Sequence, residues 1–145
     1  MPHNPRNDPY GAFNFIVEID GVQVAGFAEV TGLQVETEII EYRIGSAATT
    51  LRKIPGLTKY TNIVLKRGYT ESKELWQWVK ATVDGQTERR NGKIIMLDEA
   101  SETVQQFEFV EGWPSRYEGP HFDAQNSAVA IETLEITHEG LSLAL

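Results

Sequence analysis

Residues 37–68 read TEIIEYRIGSAATTLRKIPGLTKYTNIVLKRG. The stretch describes two strands joined by a long polar arm. Val35, Thr37 and Ile39 alternate imperfectly with Glu36, Glu38 and Ile40, and Tyr42-Arg43-Ile44 carries the strand into Gly45. The return strand is expected from Tyr60 to Arg67, with Ile63 and Leu65 on one face and Asn62, Val64 and Lys66 on the other. Between them, residues 45–59 form an extended loop. Its Pro55-Gly56 pair suits a type II turn, because proline presets φ at the second position and glycine accepts positive φ at the third. A loop this long inside a compact domain is functional or disordered. Ile54 and Leu57 flank the turn, and a solvated tip has no use for two aliphatic side chains. The arm therefore docks onto something else or folds back over its own domain.

The 145 residues suit one domain, 1–145, with an irregular Pro- and Asn-rich N-terminal arm over 1–11. The absence of cysteine excludes disulfides, thiolate metal sites and a cysteine nucleophile. No apolar run approaches a membrane span, and MPHNPRNDPYGAF has neither the basic nor the apolar region of a signal peptide. The expectation is a protein made in the cytoplasm without a membrane anchor.

A net charge of −8 disfavours direct nucleic-acid binding. That charge is unevenly spread: residues 1–50 carry −5, residues 51–90 carry +5 and residues 91–145 carry −8. Such blocks suit head-to-tail association of copies, in which one surface meets a different surface of the next, or else neutralise one another within one chain.

Elsewhere period-two alternation dominates. Phe13, Phe15, Val17 and Ile19 share one face of a first strand; Asp20-Gly21 suits a type I′ turn; Val22 to Val30 returns, with Gly26 marking a bulge or close approach. Thr31-Gly32-Leu33 turns the chain into the long strand. A helix is expected over about 71–83, with Thr70 as N-cap, Glu71 and Glu74 in its first turns, Leu75, Trp76, Trp78 and Val79 at helical spacing, and Asp84-Gly85 at its end. Trp76 and Trp78 point to different sides, so one should enter the core and the other lie half exposed. A second hairpin follows from Lys93–Asp98 and Val104–Val110, stopped at Trp113-Pro114, then a polar loop over 115–127 and a last strand Ala128–His138. About seven or eight strands and one helix define a mainly β fold, a sandwich or partly closed barrel with a flanking α-helix and a long extended hairpin arm.

Catalytic signatures are missing. His3, His121 and His138 have no metal-ligand spacing, the serines lack an elbow context, and no glycine-rich phosphate loop occurs. No catalytic, cofactor-binding or metal residues are assigned, and no cofactor is expected. Arg43, Arg52, Lys53, Lys59, Lys66 and Arg67 line a basic strip on the long hairpin or protect strand edges.

The segments DPYGAFNFIVEIDGVQVAGFAEVTGL, EYRIG, RKIPGLTKYTNIVLKRG, LWQWV, RRNGKIIMLDEA, GWPSRYEGP and AVAIETLEITHEGL occur in order over about residues 8–141. Together they resemble the tail-tube (inner tube) proteins of contractile injection systems, the phage-tail-like particles of the antifeeding-prophage type. Those are related to contractile phage tail tubes and to the type VI secretion haemolysin-coregulated protein. The resemblance implies two roughly orthogonal antiparallel sheets and no catalysis. It implies hexameric rings stacked into a hollow tube inside a contractile sheath. Partners would be further copies of the chain, the sheath protein, baseplate hub, spike and tube-terminating proteins, and effector cargo in the lumen, in a particle released to the outside. On this footing Arg43, Thr50, Arg52, Lys53, Ile54, Pro55, Leu57 and Lys59 are the expected inter-ring and inter-subunit contacts, and Glu71, Lys73, Glu74 and Lys80 the sheath-facing helix residues. Arg52, Lys53 and Lys59 would meet acidic residues of the adjoining ring, and net charge suggests an acidic lumen. The alternative is a monomeric β-sandwich binding module or a carbohydrate-active enzyme.

Overall fold

The computed structural model describes residues 14–24, 26–43, 45, 49–69, 72–125 and 130–144. The chain enters on the first expected strand: β1 (Phe15–Ile19) turns at Asp20-Gly21 into β2 (Val22–Val24). Both turn residues have positive φ, 53° and 77°, as a type I′ turn requires. The expected single return strand is broken at Gly26, whose φ of 88° ends β2 and lets β3 (Phe27–Thr31) join a different sheet.

The long hairpin departs from expectation. β4 (Val35–Tyr42) pairs with β5 (Arg52–Tyr60), so half of the anticipated 45–59 loop is strand. The Pro55-Gly56 type II turn does not form, and Gly56 does not have positive φ. Both residues lie within β5 beside a register shift between Thr37 and Ile39. A two-stranded ribbon consists of edges alone, and at an edge or a bulge the missing proline N–H costs little. β6 (Ile63–Gly68) is a separate strand of the body, so the Tyr60–Arg67 return strand divides at Thr61-Asn62. Ile44 lies outside the described residues.

Helix α1 (Glu74–Val83) is shorter than expected. Thr70 and Glu71 lie outside the described residues, and Lys73 occupies the N-cap position without a side-chain capping bond. At the other end Gly85, at φ 82°, terminates the helix as anticipated. Trp78 is buried, whereas Trp76 is 49% exposed. β7 (Arg90–Leu97) then pairs with β8 (Thr103–Glu118). Trp113-Pro114 does not stop β8, which runs on through residues expected in a loop. Its ladder slips opposite Arg90–Gly92, where Glu111 has a φ of 54° and donates its N–H to Asn91 Oδ1 at 3.0 Å. It slips again between Pro114 and Arg116, so the proline sits at a bulge. β9 (Ile131–Thr137) and a short unanticipated β10 (Gly140–Leu143) complete the fold. Residues 126–129, which hold the end of the expected polar loop and Ala128 and Val129 at the expected start of the last strand, lie outside the described residues. Ile131, at the start of β9, is 50% exposed.

Among the described residues the fold class is mainly β, with two antiparallel sheets, one helix and no closed barrel. The sheets share β8: its first half lies with β10 and with β7, β1 and β2, its second with β9, β6 and β3. Between them sits the core of Val17, Ile19, Ile63, Leu65, Ile94, Phe109, Leu134 and Ile136, with Leu75, Trp78 and Val79 of α1. Each largely hidden aliphatic or aromatic side chain contributes about 1.5–3 kcal/mol to keeping the sheets together.

Candidate assembly surfaces

Cross-strand pairs across the ribbon are Val35 with Tyr60, Glu36 with Lys59, Thr37 with Thr58, Ile39 with Pro55, Ile40 with Ile54, Glu41 with Lys53 and Tyr42 with Arg52. Every β4 residue is exposed, and in β5 only Gly56 and Tyr60 are partly covered. Leu57 is 72% exposed, Ile39 64% and Val35 56%. An isolated two-stranded hairpin is marginal in water, and this one also presents aliphatic side chains to solvent. Lys53 and Lys59 stand opposite Glu41 and Glu36, so opposite charges are already matched along the ribbon. Arg43 and Thr50 are exposed in the link between the strands. The expected contact residues Arg43, Thr50, Arg52, Lys53, Ile54, Pro55, Leu57 and Lys59 are thus brought together on one projecting element.

The root of the ribbon is held firmly. A Cβ on Gly32 would collide with the Asn62 carbonyl oxygen, and Gly32 has a φ of 91°. Thr61 donates its N–H to Gln34 O at 3.2 Å. The buried His138 ring places Nε2 3.0 Å from Thr61 O and Nδ1 3.1 Å from Gly140 O, between the rings of Tyr60 and Phe109. His138 therefore ties the ribbon to the body.

The anticipated basic strip divides. Arg67 is not on a surface: it is buried on the inward face of β6, salt-bridged to buried Glu132 of β9, with its guanidinium 5.4 Å from the Phe27 ring centroid. Tyr117 donates its hydroxyl to Glu132 at 2.6 Å, and burial together with that bond pushes the phenol well above its ordinary pKa. Arg67 follows Ile63 and Leu65 at period two, and this spacing was the signal that it points inward.

On α1, Lys73, Glu74 and Lys80 are exposed; Ser72 donates to Glu74 at 3.2 Å and Lys80 bridges Asp84 at 2.7 Å. Glu71 lies outside the described residues. Beside the helix an open groove of about 1010 Å³ is lined by Tyr69, Lys73, Trp76, Tyr117, Pro120 and Glu132. Two further surfaces are backbone ones: β2 and β3 end the strand path, each with one side unpaired among the described residues. Among the described residues no three His, Asp or Glu side chains converge as metal ligands, and no helix is long and apolar enough to cross a membrane.

The sequence matches the T4-like virus tail tube protein gp19 family over residues 11–142. No curated protein matches by sequence. Among solved structures, a chain of the PVC sheath–tube complex, an extracellular contractile injection system in its extended state, is similar with 25% identity and TM-score 0.85, covering 95% of this chain and 93% of that one. A chain of the anti-feeding prophage cap, the AFP tube terminating cap, has 25% identity and TM-score 0.87 over 99% of this chain and 95% of that one. Hcp1 from Flavobacterium johnsoniae shares the fold at 20% identity and TM-score 0.57, with 90% and 94% covered.

Proposed function

The chain belongs to the T4-like virus tail tube protein gp19 family and is a structural tail tube protein of contractile injection systems; from that premise we propose that its copies close into hexameric rings that stack into a hollow tube for effector delivery. The observation that carries this reading is the ribbon. A hairpin with no buried residue in β4 and with Ile39, Ile54 and Leu57 facing water gains its stabilisation from outside the chain. Placed across a ring boundary, it buries those aliphatics against the neighbouring copy. Within a ring, the free edge of β3 on one copy and a free edge of the next supply unpaired N–H and C=O groups, and repetition of that heterologous contact closes a ring.

Arg43, Thr50, Arg52, Lys53, Ile54, Pro55, Leu57 and Lys59 are the inter-ring and inter-subunit contacts, and the face of α1 with Glu71, Lys73, Glu74 and Lys80 meets the sheath. The chain acts by assembly and not by catalysis. The similar chains come from a sheath–tube complex, a tube-terminating cap and a baseplate, and this supports sheath, terminator and baseplate proteins as partners. The tube is made inside the cell, becomes part of a phage-tail-like particle and carries cargo in its lumen.

Negative-stain microscopy of purified protein at high concentration, with a baseplate-type nucleus supplied, tests the reading. Rings or tubes for wild type, with only folded monomers for Arg52→Glu/Lys53→Glu, are expected. Normal tubes from that variant refute the ribbon assignment. A strict monomer under all conditions supports a binding module or carbohydrate-active enzyme instead.

A further inference from the structure

The ribbon and the groove beside α1 lie at opposite ends of one sheet. β6 leaves the ribbon at Thr61-Asn62 and ends at Gly68, next to Tyr69 of the groove; β9 runs the other way, from Glu132 in the groove lining to Thr137, one residue before His138 at the ribbon root. The second half of β8 runs from Trp113, paired with Thr137, to Glu118, just before Gly119 and Pro120 of the groove. At about 3.3 Å per residue, the six residues of β6 set the two ends roughly 17–20 Å apart. Between them the outer face is cross-linked and its charges are matched: Asn62 donates to Glu135 at 2.8 Å, and Arg116 lies 3.3 Å from Glu135 and 3.0 Å from Glu118. Asn62 and Arg116 hold the Glu135 carboxyl below its ordinary pKa.

The two ends are chemically complementary. The far half of the ribbon exposes Ile40 and Ile54, which face each other across the strands, together with Leu51, and it carries Arg43, Arg52 and Lys53 against Glu41. The groove offers aromatic rings and carboxylates. Tyr69 and Trp76 are exposed along it, the Trp76 and Tyr117 rings lie 5.5 Å apart, and Tyr69 is pinned by donating its N–H to Ala130 O at 2.9 Å. The loop past Pro120 presents Phe122, 85% exposed, and Asp123, and residues 118–125 contain no Lys or Arg. Exposed aromatic side chains gathered at one place mark a surface that meets protein.

Resting on the reading of the chain as a ring-forming tube subunit, we infer that this groove is the seat of the ribbon from the copy in the next ring. Each copy carries one ribbon end and one groove end, so head-to-tail stacking brings unlike ends together, and a heterologous contact that does not close propagates along an axis. Ile40, Leu51 and Ile54 leave water against Tyr69, Trp76 and Pro120, while the surplus cations of the ribbon meet Glu118 and Asp123, which fixes the register. The exposure of every β4 residue shows that the ribbon does not fold back along its own sheet to fill its own groove.

The chain has no cysteine, so a pair of thiols can be placed without background. Leu51→Cys changes an exposed ribbon residue, and a Cβ at Gly119 meets only Tyr117 at 3.9 Å, so Gly119→Cys leaves the groove intact. Tubes of the double variant treated with a short bismaleimide should give covalent ladders running past six subunits on denaturing gels, with no ladder from either single variant or from dilute free subunits. Tubes that yield monomers alone, an internally linked monomer, or a ladder that stops at six, as a contact within one ring gives, each overturn the inference. Where the double variant does not assemble, a cryo-EM map of wild-type tubes decides, and a ribbon seated anywhere but this groove overturns the inference. Absence of rings from wild type is a separate result that removes the ring reading and this inference with it.

Discussion

Glu132→Ala is the most informative single change. It leaves the Arg67 guanidinium without its carboxylate in a site where the two side chains are 3% and 5% exposed. Water reaches neither group, so the guanidinium retains its desolvation cost and loses the attraction of that carboxylate. Breaking a buried pair in this way costs about 3–5 kcal/mol. For a domain of this size that lowers Tm by roughly 6–20 °C. Thermal and denaturant unfolding should be measured on unassembled subunits, because association stabilises the folded state by mass action. The double variant Arg67→Met/Glu132→Leu separates charge from packing: apolar side chains of similar volume should recover most of the loss, since replacing both members of a buried pair is about neutral or stabilising. A single variant within about 1 kcal/mol of wild type would show that solvent screens the pair. A double variant as unstable as the single would show that the loss lies in cavity formation or in the lost Tyr117 hydroxyl bond to Glu132, and not in the broken ion pair.

Gly32→Ala forces a Cβ onto the Asn62 carbonyl at positive φ, so unfolding should show a loss of about 1–3 kcal/mol or more, with ribbon amides exchanging faster in hydrogen exchange. Wild-type exchange would contradict the tight root. Leu57→Ser changes an exposed position and should leave subunit stability within about 0.5 kcal/mol of wild type while lowering the yield of tubes in electron micrographs; equal yields remove Leu57 from the contact set. The Tyr117 phenol is held neutral by burial and by Glu132, so its raised pKa contributes stability below the ordinary phenol range that is lost as pH rises through the folded value. Tyr117→Phe should accordingly flatten the alkaline limb of the stability–pH curve, and an unchanged limb counts against the bond. The sign reverses for Glu135: its lowered pKa stabilises above the ordinary carboxylate value and is lost as pH falls through the folded one. Asn62→Ala should move that titration to higher pH in carboxyl NMR, and an unmoved titration refutes the assigned cause.

The sequence by itself determined the mainly β class, the Asp20-Gly21 turn, the end of the helix at Gly85, the burial of one of Trp76 and Trp78 with the other half exposed, and the family. All of these depend on a period of two or of 3.6, on a positive φ that few residues accept, or on the order of segments along the chain. Tertiary structure decided where strands begin and stop. Gly26 breaks a strand because two sheets need a crossover there; Pro55 and Pro114 remain inside strands because an edge or a bulge spares them a ladder bond; and β8 spans both sheets because bulges bend it. The Arg67–Glu132–Tyr117 cluster and the charge-matched outer face join residues far apart in sequence, and registers between non-neighbouring strands are set by the hydrophobic faces of the assembled sandwich, not by any local propensity. Local sequence therefore chose the elements and their inward sides, while the pairing of distant edges chose which charges meet and which surfaces are left for a neighbour.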